Sequence, residues 1–254
     1  MKIVRVRIGK DEIAYGAVEP EGIRIYRGTP FVAWEPTETV VAFDRAHLLS
    51  PVFPTKVVAV GRNYSAYIAE RGTRTPEEPI IFLKPTTSVI GPGAAIVIPP
   101  ETEEVHHEAE LAVVVGALSH RVAPEDAASH ILGYTAANDV TARDLQRRDG
   151  QWTRAKSFDT FCPLGPAIET ELDPQGLAVT CSVNGESRQD GNTADMIFGV
   201  AELFAFITRV MTLLPGDVVL TGTPSGVGPI RSGDIVEVEV ERIGVLRNPV
   251  LAAR

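Results

Sequence analysis

Apolar and polar residues alternate over the first 27 residues, with Gly9, Gly16 and Gly22 at intervals. This pattern predicts a meander of short strands. Residues 28–55 are punctuated by prolines and are predicted to form a linker, in which residues 40–49 could adopt a short helix. We therefore expect a small N-terminal domain and linker over residues 1–55 and a main domain over residues 56–254.

From residue 56 the apolar runs are short. Strands are predicted at residues 56–61, 80–84, 88–90, 95–98 and 111–115. Residues 62–71 have helical composition, and Gly72 is expected to end this helix. Residues 198–214 have apolar residues at helical spacing and are predicted to form the longest helix. The loop at residues 73–79 could be a lid or an ordinary surface loop. Short strands separated by glycine and proline favour a mainly β, α+β sandwich or roll over a β–α–β winding.

Bulk composition is that of a globular protein, with 44% hydrophobic and 22% charged residues. No apolar run is long and unbroken enough for a transmembrane helix, and the N-terminus lacks the apolar core of a signal peptide. The net charge of −9 argues against nucleic-acid or anionic-membrane partners. We expect a cytoplasmic protein, in which Cys162 and Cys181 are buried thiols.

The candidate chemistry centres on carboxylates. Glu108 and Glu110 are two residues apart at the head of an apolar run, so on a strand they share one face. Paired carboxylates repel each other and are costly to bury, and a divalent cation removes both problems. Asp139 ends a second apolar segment and could be a third ligand; such a set suits Mg²⁺ or Mn²⁺. Alternatively, the glutamates lie at an exposed strand end and Asp139 caps a helix.

Three further features could belong to the same site. Lys156 lies among aromatic and polar residues and could neutralise an enolate or carboxylate, or it could pair with Asp159 or remain at the surface. The glycine-rich segment 221–228 could present backbone N–H groups and a threonine hydroxyl to an anion, or form a structural turn. Gln146, seven residues after Asp139, could reach the same side. Nucleophile-elbow, Walker A and dinucleotide-binding signatures do not occur in the sequence.

Together these motifs are identified as those of the fumarylacetoacetate hydrolase family. They are Gly61-Arg-Asn-Tyr, Phe82-Leu-Lys-Pro, His107-Glu-Ala-Glu-Leu, Asn138-Asp-Val-Thr-Ala-Arg-Asp-Leu-Gln146, Arg154-Ala-Lys-Ser-Phe-Asp and Leu220-Thr-Gly-Thr-Pro-Ser-Gly-Val-Gly. The resemblance covers about residues 55–250. It implies a mixed β-sandwich roll with a small N-terminal β domain, a homodimer and a 2-oxo acid substrate. It also implies that Glu108, Glu110 and Asp139 bind Mg²⁺ or Mn²⁺ and that the substrate-binding residues are Arg62, Gln146, Lys156 and Thr223.

One departure from the family pattern bears on the reaction. The pattern Asn-Tyr-x-Asp-His-x-x-Glu reads here with Ala66 for Asp and Tyr67 for His, while Glu70 remains. Tyrosine, with an ordinary pKa of about 10, is a poor general base. His106 or His107 could substitute, although a packing role is favoured for both.

The departure favours isomerisation or decarboxylation of a 2-oxo or 2-hydroxydienoic (di)carboxylic acid through a metal-chelated enolate. The predicted catalytic residues are Tyr67, Glu70 and Lys156. One alternative is C–C bond hydrolysis of an acylpyruvate or fumarylacetoacetate type that uses Glu70. The other is a non-catalytic protein that binds the metal and a 2-oxo acid.

Overall fold

The strands of the protein are short and numerous. The computed structural model describes residues 1–10 and 12–253. Within these residues the strands are β1 (Lys2–Ile8), β2 (Glu12–Glu19), β3 (Gly22–Thr29), β4 (Ala33–Val41), β5 (Ala46–Leu49), β6 (Val57–Gly61), β7 (Ile80–Lys84), β8 (Val89–Ile90), β9 (Ile96–Ile98), β10 (Val105–His106), β11 (Ala109–Val115), β12 (Ile131–Asn138), β13 (Thr141–Ala142), β14 (Cys162–Glu169), β15 (Ala178–Val183), β16 (Glu186–Asn192), β17 (Val218–Leu220), β18 (Pro229–Ile230), β19 (Ile235–Val240) and β20 (Gly244–Ala252).

Helices are few, which agrees with the predicted mainly β, α+β class. The α-helices are α1 (Ser65–Arg71), α2 (Ala127–His130), α3 (Arg143–Asp149), α4 (Thr153–Lys156) and α5 (Val200–Val210). Short 3₁₀ turns occupy Phe43–Arg45, Thr86–Ser88, Pro124–Asp126 and Thr193–Asp195. The helices predicted before Gly72 and within residues 198–214 are confirmed as α1 and α5. No helix in the described part of the chain is long and apolar enough to cross a membrane.

The strands form one large sheet and two smaller ones. The large sheet has the order β4-β3-β2-β1-β14-β12-β11-β17-β6-β7, and β5 and β8 add to it beside β1 and β14. A five-stranded sheet has the order β16-β15-β19-β20-β9, and a three-stranded sheet has the order β13-β10-β18. Most neighbouring pairs are antiparallel, whereas β17 pairs with β6 in parallel. These layers confirm the predicted mixed β architecture.

Strand β11 lies at the centre of the molecule and is buried along its whole length. Its alternate residues belong to two hydrophobic cores. Leu111 and Val113 contribute to the larger core, which also contains residues of β15 and β19. Ala112 and Val114 point the other way, into a core shared with β6 and β14. A strand that is covered on both faces needs a continuous apolar run, which explains the sequence that follows Glu110.

The N-terminal meander is confirmed, but the linker predicted from residue 28 is wrong over most of its length. Strands β4 and β5 occupy this segment, and a 3₁₀ turn lies between them instead of an α-helix. Pro36 is tolerated in β4 because this strand is at the edge of the sheet, where a missing N–H donor breaks no interior ladder. Because β1 pairs with β14, the meander continues the large sheet. The boundary at residue 55 stays a prediction, as do the homodimer and the cytoplasmic location.

Candidate active site

The hairpin of β11 and β12 positions three carboxylates. Glu108 immediately precedes β11, Glu110 is its second residue, and Asp139 immediately follows β12. The hairpin is fixed at this end by two hydrogen bonds: Glu108 N–H donates to Asn138 Oδ1 at 2.9 Å, and Asp139 N–H donates to the Glu108 carbonyl at 2.9 Å. The three side chains therefore converge.

This carboxylate triad has the composition of a site for a hard divalent cation. One oxygen of each carboxylate lies within 4.8 Å of the others, and all three residues are buried. Burial, together with the neighbouring Asp139 and Glu108 carboxylates, raises the pKa of Glu110 well above its ordinary value. Three oxygen donors with excess negative charge fit Mg²⁺ or Mn²⁺. The exposed-strand and helix-cap alternatives for these residues are wrong, since Asp139 is buried between β12 and β13.

Cationic side chains surround two members of the triad. Lys156 Nζ, at the end of α4, donates to Glu108 Oε2 at 2.8 Å and to Asp139 Oδ2 at 2.5 Å. Arg143 Nη2 donates to Glu108 Oε1, and Lys84 Nζ lies 2.6 Å from Asp139 Oδ1. Burial raises the pKa of Glu108, but Lys156 and Arg143 outweigh it and hold that pKa at about 2.

Two of the alternatives for Lys156, a pair with Asp159 and a position at the surface, are therefore wrong. It is buried, with 2% of its surface exposed, and its partners are Glu108 and Asp139 instead of Asp159. Burial lowers the pKa of the Lys156 ammonium, but Asp139 and Glu108 more than compensate and raise it overall. The site therefore contains a buried ammonium group that is paired with two carboxylates.

The loop after β17 closes the site from the other side. Gly222 N–H donates to Glu110 Oε2 at 2.7 Å, so this backbone donor binds a carboxylate of the chain itself, and the presentation of the segment's donors to an anionic ligand stays a prediction. Gly222 has φ +97°, and a Cβ there would lie 2.7 Å from the Asn63 side chain. Both facts require glycine at this position. Thr223 Oγ1 donates to the Ala109 carbonyl at 2.8 Å.

Gln189 on β16 connects this loop to the triad hairpin. Its Nε2 donates to Thr223 Oγ1 at 2.8 Å and to the Pro224 carbonyl at 2.9 Å. Its Oε1 accepts from Ala109 N–H at 3.0 Å and lies 2.9 Å from His107 Nδ1. His107 is therefore a packing residue, and burial lowers its pKa. His106 has its pKa lowered to about 4 by burial and by Arg143.

Helix α1 contributes one wall. Tyr67 faces the cavity beside the triad, and burial, reinforced by Glu108, raises the pKa of its phenol. The Arg71 guanidinium lies over the Tyr67 ring, 5.5 Å from its centroid. Glu70 points elsewhere: its Oε2 accepts a hydrogen bond from Gly226 N–H at 2.7 Å.

These groups line a cavity of about 280 Å³. Of the nine candidate residues from the sequence, Glu70 does not line this cavity. The other eight do: Arg62, Tyr67, Glu108, Glu110, Asp139, Gln146, Lys156 and Thr223. Gln146 reaches the cavity from α3, which begins only at Arg143, so no continuous helix connects it to Asp139. Arg62 has φ +59°, a strained conformation for a non-glycine residue, and its guanidinium lies 5.8 Å from the Trp152 ring centroid.

Sequence reasoning missed several residues of the site. Arg143 and Lys84 lie within motifs quoted above, but nothing in the motifs shows that their charges are buried against the triad. Gln189 carries no local signal, because its partners are more than 30 residues away in sequence. Arg71, Thr73 and Trp152 also line the cavity.

An α+β fold that encloses a small cavity with perturbed carboxylates and cations is typical of an enzyme that acts on a small molecule. Residues 56–251 match the model of the fumarylacetoacetate (FAA) hydrolase C-terminal domain, and residues 1–51 match the Rv2993c-like N-terminal model. The chain belongs to the fumarylacetoacetate hydrolase family.

Individual relatives agree with this assignment. Human mitochondrial oxaloacetate tautomerase FAHD2A is 47% identical over 216 residues, covering 80% of this chain and 69% of the relative. The structure of 5-carboxymethyl-2-hydroxymuconate delta-isomerase from Mycobacterium smegmatis is 46% identical, with a TM-score of 0.93 over 100% of both chains. Maleylpyruvate hydrolase from Sphingobium, solved with manganese(II) and pyruvate, is 28% identical, with a TM-score of 0.81 over 100% of both chains. The protein is accordingly an enzyme, which disfavours the non-catalytic alternative.

Proposed function

We propose that this enzyme isomerises or decarboxylates a 2-oxo acid, or the corresponding 2-hydroxydienoic acid, and that Glu108, Glu110 and Asp139 hold the Mg²⁺ or Mn²⁺ it requires. The support for the metal is the donor set: three buried carboxylates whose oxygens lie within 4.8 Å of one another. The support for the substrate class comes from the relatives, which include an oxaloacetate tautomerase and a 5-carboxymethyl-2-hydroxymuconate delta-isomerase. When bound, the ion would supply a Lewis acid for the oxygens of the 2-oxo acid.

Both reactions place negative charge on the 2-keto oxygen. In isomerisation a proton leaves the carbon beside the keto group and returns at another atom. In decarboxylation the bond to the departing CO₂ breaks and its electron pair stays on that carbon. Lys156 is positioned to stabilise this charge, because its ammonium group is buried, charged and part of the cavity wall. Thr223, Gln146 and Arg62 would orient the substrate from the other walls of the cavity.

The choice of isomerisation or decarboxylation over hydrolysis rests on the side chains that helix α1 presents to the cavity. Hydrolysis requires a base that deprotonates water for attack on a carbonyl carbon. In the described part of the chain, the carboxylates that line the cavity are those of the triad, and Tyr67 has a raised pKa. Glu70 lies outside the cavity and accepts from Gly226. Isomerisation moves a proton that the adjacent keto group already acidifies, and decarboxylation needs no base.

An activity panel tests the proposal. Purified protein with Mg²⁺ is assayed against oxaloacetate, an acylpyruvate and 2-hydroxyhepta-2,4-diene-1,7-dioate. We expect isomerisation or decarboxylation that EDTA abolishes. A Lys156→Met variant should lose about 10²–10³-fold in kcat, the usual cost of losing one group that stabilises a developing oxyanion. Fast acylpyruvate hydrolysis without isomerase or decarboxylase turnover would contradict the proposal.

A gain-of-function variant tests the role of Tyr67 directly. The double substitution Ala66→Asp with Tyr67→His restores the family pattern and provides an imidazole with an ordinary pKa of about 6.5. We expect it to gain acylpyruvate hydrolysis, whereas the control Tyr67→Phe should not. If wild type and the double variant hydrolyse acylpyruvate equally fast, Tyr67 does not determine the reaction.

A further inference from the structure

Besides the negatively charged triad, the cavity is lined by several positively charged arginine residues. Arg62, Arg71, Arg143 and Arg147 all line it, in a protein of net charge −9. Two of these guanidinium groups are neutralised within the chain: Arg143 by Glu108 and Arg147 by Glu104. The Arg62 guanidinium lies over the Trp152 ring. Arg71 has its nearest carboxylate oxygen, on Glu70, at 3.9 Å, which is too far for a hydrogen bond.

Arg71 also carries donors that the fold leaves unused. Its Nε and Nη2 atoms are buried, and neither has a hydrogen-bond partner among the residues that the structure describes. Thr73, two residues later on the same cavity wall, has a buried Oγ1 that likewise lacks a partner there. Buried polar groups are nearly always hydrogen-bonded, so these three atoms at one cavity are available to bind polar groups of a ligand.

The two nitrogen atoms define the chemistry of that ligand. Nε–H and Nη2–H lie on one edge of the planar guanidinium and point in parallel, which is the geometry that accepts both oxygens of a carboxylate. The group is held in place by the Tyr67 ring, 5.5 Å from its Cζ. The end of α1 is fixed as well, since Thr73 N–H donates to the Ile68 carbonyl at 3.2 Å. A preorganised fork of this kind costs little ordering entropy when it binds.

We infer that Arg71, assisted by the Thr73 hydroxyl, binds a second carboxylate of the substrate. This inference rests on the proposed function, in which the 2-oxo acid end of the substrate lies at the triad. The preferred substrates are then dicarboxylic 2-oxo acids. A cavity of about 280 Å³ is at the small end of ligand pockets, roughly 300–1,000 Å³, and favours a short chain between the two acid groups.

Matched ligands separate charge from shape. The Mg²⁺-loaded protein is titrated calorimetrically with 2-oxoglutarate and with 5-methyl-2-oxohexanoate, in which an isopropyl group replaces the distal carboxylate. We expect wild type to prefer the diacid by about tenfold or more, the effect of a bidentate charged contact. Arg71→Met should remove this preference and leave the affinity for the monocarboxylate analogue unchanged. Thr73→Val should reduce the preference by a smaller factor.

Arg74→Met is the matched control, because it removes the same charge from an exposed residue of the loop that follows α1, and this residue does not line the cavity. It should keep the wild-type preference. If wild type binds both ligands equally and Arg71→Met changes neither affinity, the inference fails while the proposed function stands. Equal weakening of both ligands by Arg71→Met would also overturn it, since this is the result of a structural role. If neither these ligands nor oxalate bind to the Mg²⁺-loaded wild type, the proposed function itself fails.

Discussion

Two buried carboxylate sites in this protein are built in opposite ways. Asp217, in the turn before β17, has its side chain fully buried and accepts hydrogen bonds at both oxygens. Its Oδ1 accepts from the Thr55 hydroxyl at 2.6 Å and from the N–H groups of Thr55 and Lys56. Its Oδ2 accepts from Leu214 N–H at 2.8 Å and Lys56 Nζ at 2.5 Å. Burial raises the pKa of Asp217, but these donors outweigh it and lower that pKa overall.

Glu110 is buried as deeply but has far fewer donors. Gly222 N–H donates to it at 2.7 Å, while the adjacent charges are the Asp139 and Glu108 carboxylates. Lys156 donates to the other two members of the triad and not to Glu110. The chain therefore satisfies the charge of Asp217 internally and leaves that of Glu110 uncompensated. The difference distinguishes a carboxylate that stabilises the fold from one whose charge is left for a cation from solution, as the proposed metal site requires.

Of the substitutions at the two sites, the replacement of Glu110 should change the free energy of unfolding most. Without metal, Glu110→Gln removes a repelled buried charge, so the free energy of unfolding should rise by on the order of 1 kcal/mol. With Mg²⁺ at 100 times its Kd, wild type should gain about 2.7 kcal/mol. The variant should lose most of that gain because one ligand is missing. Urea unfolding with and without Mg²⁺ measures both changes.

The control for this experiment is Glu239→Gln, an exposed glutamate on β19. It should respond to Mg²⁺ as wild type does. A Glu110→Gln protein that keeps the full stabilisation by Mg²⁺ would show that the ion binds elsewhere, and the triad would then need another explanation.

Asp217→Asn should have a smaller effect of the opposite kind. The asparagine amide cannot accept all the hydrogen bonds that end at the two carboxylate oxygens, so buried donors lose their partner. We expect the free energy of unfolding to fall by about 2 kcal/mol, equally with and without Mg²⁺. Asp44→Asn, at an exposed position, should change it by less than about 0.5 kcal/mol. A Mg²⁺-dependent loss in Asp217→Asn would mean that the two sites are coupled.

The proximity of the three triad residues could be predicted from the sequence because it depends on local rules. Alternation places Glu108 and Glu110 on one face of a strand, and the end of the next apolar segment brings Asp139 beside them. The short strands and the end of α1 at Gly72 follow from equally local patterns. What these rules describe is a hairpin, and a hairpin is enough to assemble the three carboxylates.

The remainder depends on contacts between distant segments. The position of Gln189 between Thr223 and Ala109 requires two sheets to pack, and no periodicity within β16 indicates it. The misassigned linker has the same origin, since proline breaks an interior strand but not an edge strand, and the sequence does not say which one β4 is. The direction of Glu70, away from the cavity, is likewise set by its contact with Gly226, which is more than 150 residues later.

Acid should weaken the Asp217 site only at low pH, which gives the smallest predicted effect. The pKa of Asp217 is lowered in the folded protein from its ordinary value of 3.8. Its contribution to stability is therefore complete above pH 3.8 and is lost as the pH falls through the folded pKa, by about 1.4 kcal/mol for each unit between the two pKa values. The difference in urea midpoint between wild type and Asp217→Asn should be constant from pH 7 to 5 and shrink below pH 4. Because the pKa of Glu110 is raised instead, protonation relieves its repulsion, so the stability advantage of Glu110→Gln should decrease already at a higher pH. Equal pH dependence of the two variants would mean that the two carboxylate sites do not differ as their donors indicate.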